Sequence, residues 1–257
     1  MLKLYRFEGA TCAAKVLFAL EEKNIAFEDA VIDRHELTAP WYLALNPNGV
    51  VPTIVHDGNV IIESTVILNY LDDAFEGHPL RPADPVRKAR MNYWMKVMDD
   101  MLNHLGAATY AMALRQSYLA LSKEKLEQYY AAIPDYDRRE RRRDIVENGL
   151  ESPSVRSSIV ELMKFQAMAD ADLAGKEYLC SDFSIADISL AAFAWRLEPL
   201  GLLDTGNRPN LGAWWNRTQA RPAFAAIRTS APPQLTEGLR MAGQLHGEAV
   251  SRICRAA

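Results

Sequence analysis

A threonine and a cysteine stand side by side in Glu8-Gly9-Ala10-Thr11-Cys12-Ala13, at the point where an alternating apolar run gives way to a helix-forming one. A thiol or hydroxyl at a helix start lies among unpaired N–H groups and the positive end of the helix dipole, a setting that favours an anion such as a thiolate. Cys12 is therefore a candidate reactive thiol, and Thr11 a hydroxyl able to donate to a bound sulfur. The alternatives are a small buried cysteine and a helix-capping threonine. A second pattern, Asn46-Pro47-Asn48-Gly49-Val50-Val51-Pro52-Thr53, puts a proline at a strand entrance behind a strong turn signal. A cis Val51–Pro52 bond would turn Val51 outward and leave its backbone N–H and C=O free to pair with an extended peptide-like ligand; an ordinary trans proline starting a strand is the alternative, which base rates favour. The third is Glu63-Ser64, opening a helix. A hydroxyl beside helix-end amides suits a carboxylate and Glu63 suits an ammonium group, so the pair could read an α-amino acid head; simple capping is the alternative.

The elements that must position these residues follow from periodicity. Residues 2–7 alternate as a strand, 13–24 carry helical spacing, and 27–32 read as a second strand, giving a right-handed βαβ unit. A helix-like piece spans 34–45. Strands at 52–55 and 59–62 flank the Asp57-Gly58 hairpin signal, and a helix runs over 65–75. After the Gly77 to Pro82 linker everything is helical. A long helix from 84 to about 115 starts with Pro85 behind an Asp84 cap and carries Tyr93, Trp94, Met98, Met101 and Tyr110, a stripe that would either line an adaptable apolar pocket or serve as core. Ser184-Ile185-Ala186-Asp187 is a capping-box variant, with Phe183 and Ile188 placed as a hydrophobic staple, ahead of a helix apolar nearly all round.

Composition narrows the class. With 257 residues, 49% hydrophobic and 24% charged, the chain can bury a real core in one large or two ordinary domains. Lys+Arg 29 against Asp+Glu 33 gives a net charge of −4, which removes a global positive field for nucleic acid or acidic membranes. The basic run Arg138-Arg139-Glu140-Arg141-Arg142-Arg143 reads as a solvated face, and no nucleic-acid partner is expected. Three cysteines, Cys12, Cys180 and Cys254, form no even disulfide framework and no zinc spacing, so a reducing, cytoplasmic setting without a structural metal is expected. No segment approaches the ~20 apolar residues of a membrane span.

These patterns in this order, with NPNGVVPTIVHDG, ESTVILNYLDDAF, FSIADISLAAF and RPAF, resemble the glutathione S-transferase family over the whole chain. The resemblance implies a thioredoxin-like βαβαββα domain at 1–78 that binds glutathione, a linker at 77–83, and an all-helical domain at 84–257 holding the pocket for a second substrate. It also implies a homodimer. Carried over residue by residue, Pro52 is the cis-proline, Val51 holds the cysteinyl backbone of glutathione, and Glu63 and Ser64 take its γ-glutamyl end. Cys12 falls where beta-class members have their cysteine, with Thr11 the nearest hydroxyl. Ala13 stands where serine-using members have their serine, and Val50 where beta-class members tend to have a polar side chain. His35 and Thr38 are placed to approach the glycine carboxylate, and Tyr93, Trp94 and Met98 to line the second-substrate pocket. Residues 121–152 resemble the insertion of the bacterial β-etherase-like subgroup. The function implied is a transferase whose glutathione thiolate attacks a hydrophobic electrophile, including an aromatic β-aryl ether. The rivals are thiol–disulfide exchange or deglutathionylation through Cys12, and a noncatalytic glutathione-binding protein.

Overall fold

The computed structural model describes residues 1–256. Its N-terminal part is a sheet of β1 (Leu2–Arg6), β2 (Glu28–Val31), β3 (Thr53–His56) and β4 (Asn59–Ile62) in the order β2-β1-β3-β4. β1 and β2 run parallel across the crossover helix α1 (Thr11–Glu22), whereas β3 and β4 are antiparallel to their neighbours. Alternation puts Leu2 and Leu4 of β1 in the core, where Ile54 of β3 also lies. Helix α3 (Ser64–Ala74) packs Ile67, Leu68 and Leu71 into the same core as α1. This is the thioredoxin-like arrangement expected. The expected helix over 34–45 divides into a 3-10 turn at Arg34–Thr38 and α2 (Pro40–Leu45), because Pro40 holds Ala39 extended at φ −70°, ψ 143°.

The helical part begins with α4 (Pro85–Thr109), capped by the Asp84 carboxylate accepting from the Arg87 N–H at 2.8 Å. The expected single helix to about 115 is interrupted: residues Tyr110–Leu114 form a π turn before α5 (Arg115–Leu119). The Thr109 hydroxyl donates to the Leu105 carbonyl at 2.8 Å, a side-chain bond of the kind that bends a helix where it competes with the backbone ladder. Residues 121–152 fold into α6 (Lys123–Ala131) and α7 (Tyr136–Asn148). Then come α8 (Pro153–Leu173), α9 (Ile185–Leu197), α10 (Pro209–Gln219), α11 (Ala225–Thr229) and α12 (Pro233–Arg255).

Helix α9 is the central post, buried over nearly its whole length and packed on α1 and α4. Its capping box forms as expected, Asp187 accepting from the Ser184 N–H at 3.0 Å. The same carboxylate accepts from the Leu179 N–H and the Trp214 indole N–H, each at 3.0 Å. Asp72 fastens the linker to α3 in a similar way, accepting from the Leu80 N–H, Arg81 Nε and Lys23 Nζ. Helix α12 packs along α8 and the π turn, and its first turn lies over the loop that precedes α1. There Gly9 has φ +72° and donates its N–H to the Ser230 carbonyl at 2.8 Å; a β-carbon at Gly9 would overlap the Leu235 side chain.

Candidate active site

The loop from Phe7 to Ala10 delivers the chain to α1 with Ala10 at the cap position, so no side chain satisfies the first N–H groups of the helix. Thr11 is thus the first residue of α1 rather than its cap. Its hydroxyl oxygen accepts from Arg196 Nε of α9 at 3.3 Å, which leaves its own proton to donate elsewhere. Arg196 Nη2 also donates to the Gly9 carbonyl. This arginine is 5% exposed, and burial, with the like charge of Arg34 adding to it, brings its guanidinium down to about 10.

Cys12 sits one residue on, partly exposed and free. Burial pushes its thiol up, against the Lys15 ammonium and the Ser64 hydroxyl, which pull it down. Lys15, one turn further along α1, is fully buried. Its Nζ has no hydrogen-bond partner and lies 3.9 Å from Asp99 Oδ1, which in turn accepts from Thr65 Oγ1 at 2.8 Å.

The Val51–Pro52 peptide is cis, as expected. Both residues are buried at the entry to β3. The loop before them is locked by Asn46 Nδ2 and the Tyr42 hydroxyl, which donate to the Val50 carbonyl at 2.8 and 2.7 Å. Among the described residues no protein group pairs with the N–H or C=O of Val51. Across the site Ser64 starts α3, and Glu63 before it takes φ +70°, a left-handed conformation costly for a side chain with a β-carbon. Asn48 Nδ2 donates to Glu63 Oε1 at 3.1 Å and ties the proline loop to the start of α3. His35 lies exposed on the turn after β2, and its carbonyl accepts from Thr38 Oγ1 at 3.3 Å.

The pocket expectation for Tyr93, Trp94 and Met98 needs correcting. Trp94 and Met98 are core, with the Trp94 indole N–H donating to Asp172 at 2.6 Å, while Tyr93 is 55% exposed and its hydroxyl reaches the Met168 sulfur at 3.5 Å. An apolar stripe on a helix that packs against two others is consumed by that packing. Of the stripe, Tyr110 reaches the N-terminal part: its hydroxyl accepts from Arg34 Nη1 at 3.1 Å. The basic run is also not simply a solvated face. Arg138 and Arg142 turn inward from α7, Arg138 Nη2 donating to the Asn48 carbonyl at 2.9 Å and Arg142 lying 3.1 Å from the Tyr110 ring centre.

Arg196 and Lys15 are the site residues that sequence reading missed. Each is a lone cation inside an otherwise apolar helical run, LAAFAWRL and AAKVLFAL, and that mismatch was the available signal.

Comparison with known proteins identifies the family. The glutathione S-transferase N-terminal domain model matches residues 4–79 and the C-terminal domain model residues 151–222. Protein LigF of Sphingobium sp. (strain NBRC 103272 / SYK-6) is 33% identical over 240 residues, covering 87% of this chain and 91% of that protein. The tetrachloro-p-hydroquinone reductive dehalogenase of Sphingobium chlorophenolicum is 31% identical over 247 residues, covering 88% and 95%. The crystal structure of the β-etherase LigF superposes with a TM-score of 0.80 at 29% identity, over 90% of this chain and 99% of that one. With relatives matched along nearly their full length and both halves recognised, the chain belongs to the glutathione S-transferase family.

Proposed function

We propose that the chain is a glutathione transferase acting on an aromatic electrophile, with glutathione seated along the cis-proline loop and its sulfur at the start of α1. The observation that carries this reading is a pair of unsatisfied backbone edges, the uncapped N–H groups of α1 and the unpaired Val51 backbone, with Ala10 and Ala13 of the α1 start packed in one cluster with Val51. In this reading Val51, presented by Pro52, holds the cysteinyl backbone, and the Ser64 hydroxyl and α3 amides take the γ-glutamyl carboxylate. Glu63 takes the ammonium group, and His35 stands near the glycine end. The Thr11 proton, oriented by Arg196, and the first amides of α1 stabilise the thiolate, lowering the thiol from its ordinary value near ~8.5. The thiolate attacks the carbon that bears an aryloxy or halide group. A C–S bond forms as the C–O or C–halogen bond breaks, and the leaving group departs with the electron pair.

The likeness to a β-etherase and a reductive dehalogenase supports an aromatic second substrate. The raised Cys12 thiol weighs against Cys12 as the group that attacks, and so against thiol–disulfide exchange. Cys12 instead packs at the sulfur end of the site. A homodimer and a cytoplasmic setting complete the proposal, on the family pattern.

Thioether formation from glutathione and a β-aryl ether, followed by mass spectrometry with release of the phenol, tests the reading. Thr11→Val is expected to lower kcat/KM at least tenfold, and Cys12→Ala to retain most of it. Loss of conjugation in Cys12→Ala alone, or no glutathione binding by calorimetry, would overturn the assignment.

A further inference from the structure

The mouth of the proposed site gathers positive charge that the rest of the chain leaves unanswered. Arg34 follows β2 and stacks on Phe7 at 4.3 Å, Arg142 lies over Tyr110, Arg138 reaches Asn48, and Arg196 reaches the Gly9 carbonyl. Among the described residues no carboxylate lies within 4.0 Å of any of these guanidinium groups, although the chain carries a net charge of −4 and pairs Arg6, Arg81, Arg87, Arg90, Arg143 and Arg221 with acids elsewhere. Arg142 Nε is buried with no hydrogen-bond partner, while Nη1 donates to the Tyr129 hydroxyl. Tyr110 is held between two cations, its ring under Arg142 and its hydroxyl under Arg34, and Tyr118 stacks on it with ring centres 5.9 Å apart. Burial raises the Tyr110 hydroxyl, yet the charges of Arg142 and Arg34 outweigh it and the net direction is down. The field at this oxygen is therefore one that favours an anion.

Like charges pressed together in a partly buried space are costly unless a counter-charge joins them, and planar guanidinium groups beside aromatic faces suit a planar oxyanion. We propose that Arg34 and Arg142, with the Tyr110 hydroxyl between them, form an anion subsite for an aromatic second substrate that carries an ionised oxygen, a phenolate or an aryl carboxylate. The inference rests on the transferase reading for the word substrate, and on the arginines alone for the binding preference. In an ether displacement the same subsite receives the phenolate that leaves.

Equilibrium binding of 4-nitrobenzoate and its neutral isostere 4-nitrobenzamide to the glutathione-saturated protein tests it. The benzoate is expected to bind at least tenfold tighter, and that preference to shrink as salt rises. Arg34→Met, at an exposed position, and Arg142→Met are each expected to cut the ratio at least fivefold, and Arg142→Lys to restore part of it. Equal affinity for the two probes overturns the proposal. So does a loss in the arginine variants that falls on glutathione affinity rather than on the benzoate, which would assign the cations to the glycine carboxylate of glutathione. Conjugation of 1-chloro-2,4-dinitrobenzene is measured alongside. Its absence would remove the transferase reading while the binding ratio still decides the subsite.

Discussion

Two buried polar centres in this molecule are built on opposite principles. At the start of α9 the Asp187 carboxylate is fully buried and answered on every side by the N–H groups of Leu179, Ser184 and Trp214 and by the Ser184 hydroxyl. At the other end of the same helix Arg196 is nearly as buried, but it is met by neutral oxygens and by the like charge of Arg34. A satisfied centre holds a fold together and needs nothing more. A centre that is hydrogen-bonded but has no counter-charge is held by the surrounding packing, and it is the centre an anionic ligand can still complete.

The comparison breaks first at Asp187. Asp187→Ala would orphan three buried N–H donors at about 1–3 kcal/mol each, so a loss of about 3–5 kcal/mol is expected in the denaturant midpoint; a loss below about 1 kcal/mol would deny the centre its structural role. The pH dependence is the next largest effect. Burial raises the Asp187 carboxyl from 3.8 to about 6 despite its donors, so the folded chain keeps this proton to higher pH than the unfolded chain does. Its contribution is complete below pH 3.8 and is lost as pH rises through 6. The stability gap between the wild type and Asp187→Asn should therefore narrow from pH 4 to pH 7, by at most about 3 kcal/mol at 1.36 kcal/mol per pKa unit, in paired urea titrations.

Arg196→Met should behave in the opposite way. Removing a desolvated charge that has no acid partner is expected to move stability by only about 1 kcal/mol, whereas kcat/KM for conjugation falls about tenfold, the size of one weakened transition-state hydrogen bond. Equal losses of stability and of rate would erase the distinction between the two ends of α9. The smallest effect belongs to Lys15→Met. Stability should shift by less than about 1 kcal/mol, because the buried ammonium has no hydrogen bond to lose. The Cys12 thiol should move further up without the Lys15 charge, and alkylation of Cys12 at pH 8, read peptide by peptide after iodoacetamide treatment, should slow severalfold.

Much of this molecule could be read from residue order, and the failures have a common cause. The strand and helix pattern of the first 74 residues, apart from the break at Ala39, the Asp84 cap and the Ser184–Asp187 box are local signals, each set by a few neighbouring residues, and each appears where expected, whereas the cis form of Pro52 is implied by the family resemblance and not by its neighbours. The positive φ of Glu63 carries no local signal, since nothing in Ile62-Glu63-Ser64 favours it. The roles of Arg34, Arg138, Arg142 and Arg196 depend on elements far apart in sequence meeting the loop before α1, the proline loop and the π turn. Trp94 and Met98 misled for the complementary reason: helical spacing says which residues share a face but not what that face meets.

The π turn at Tyr110–Leu114 has a consequence for the whole insertion. A helix that takes one extra residue into a turn advances its phase by roughly 100° relative to an uninterrupted α-helix, so everything downstream points to a new compass bearing. Tyr118, Arg115 and the chain that leads into α6 and α7 inherit that rotation. Deleting a single residue within 110–114 would rewind the helix and swing the tyrosine and arginine wall away from the loop it now faces. The smallest possible change of length would thus act as a rotary adjustment of what this enzyme can hold.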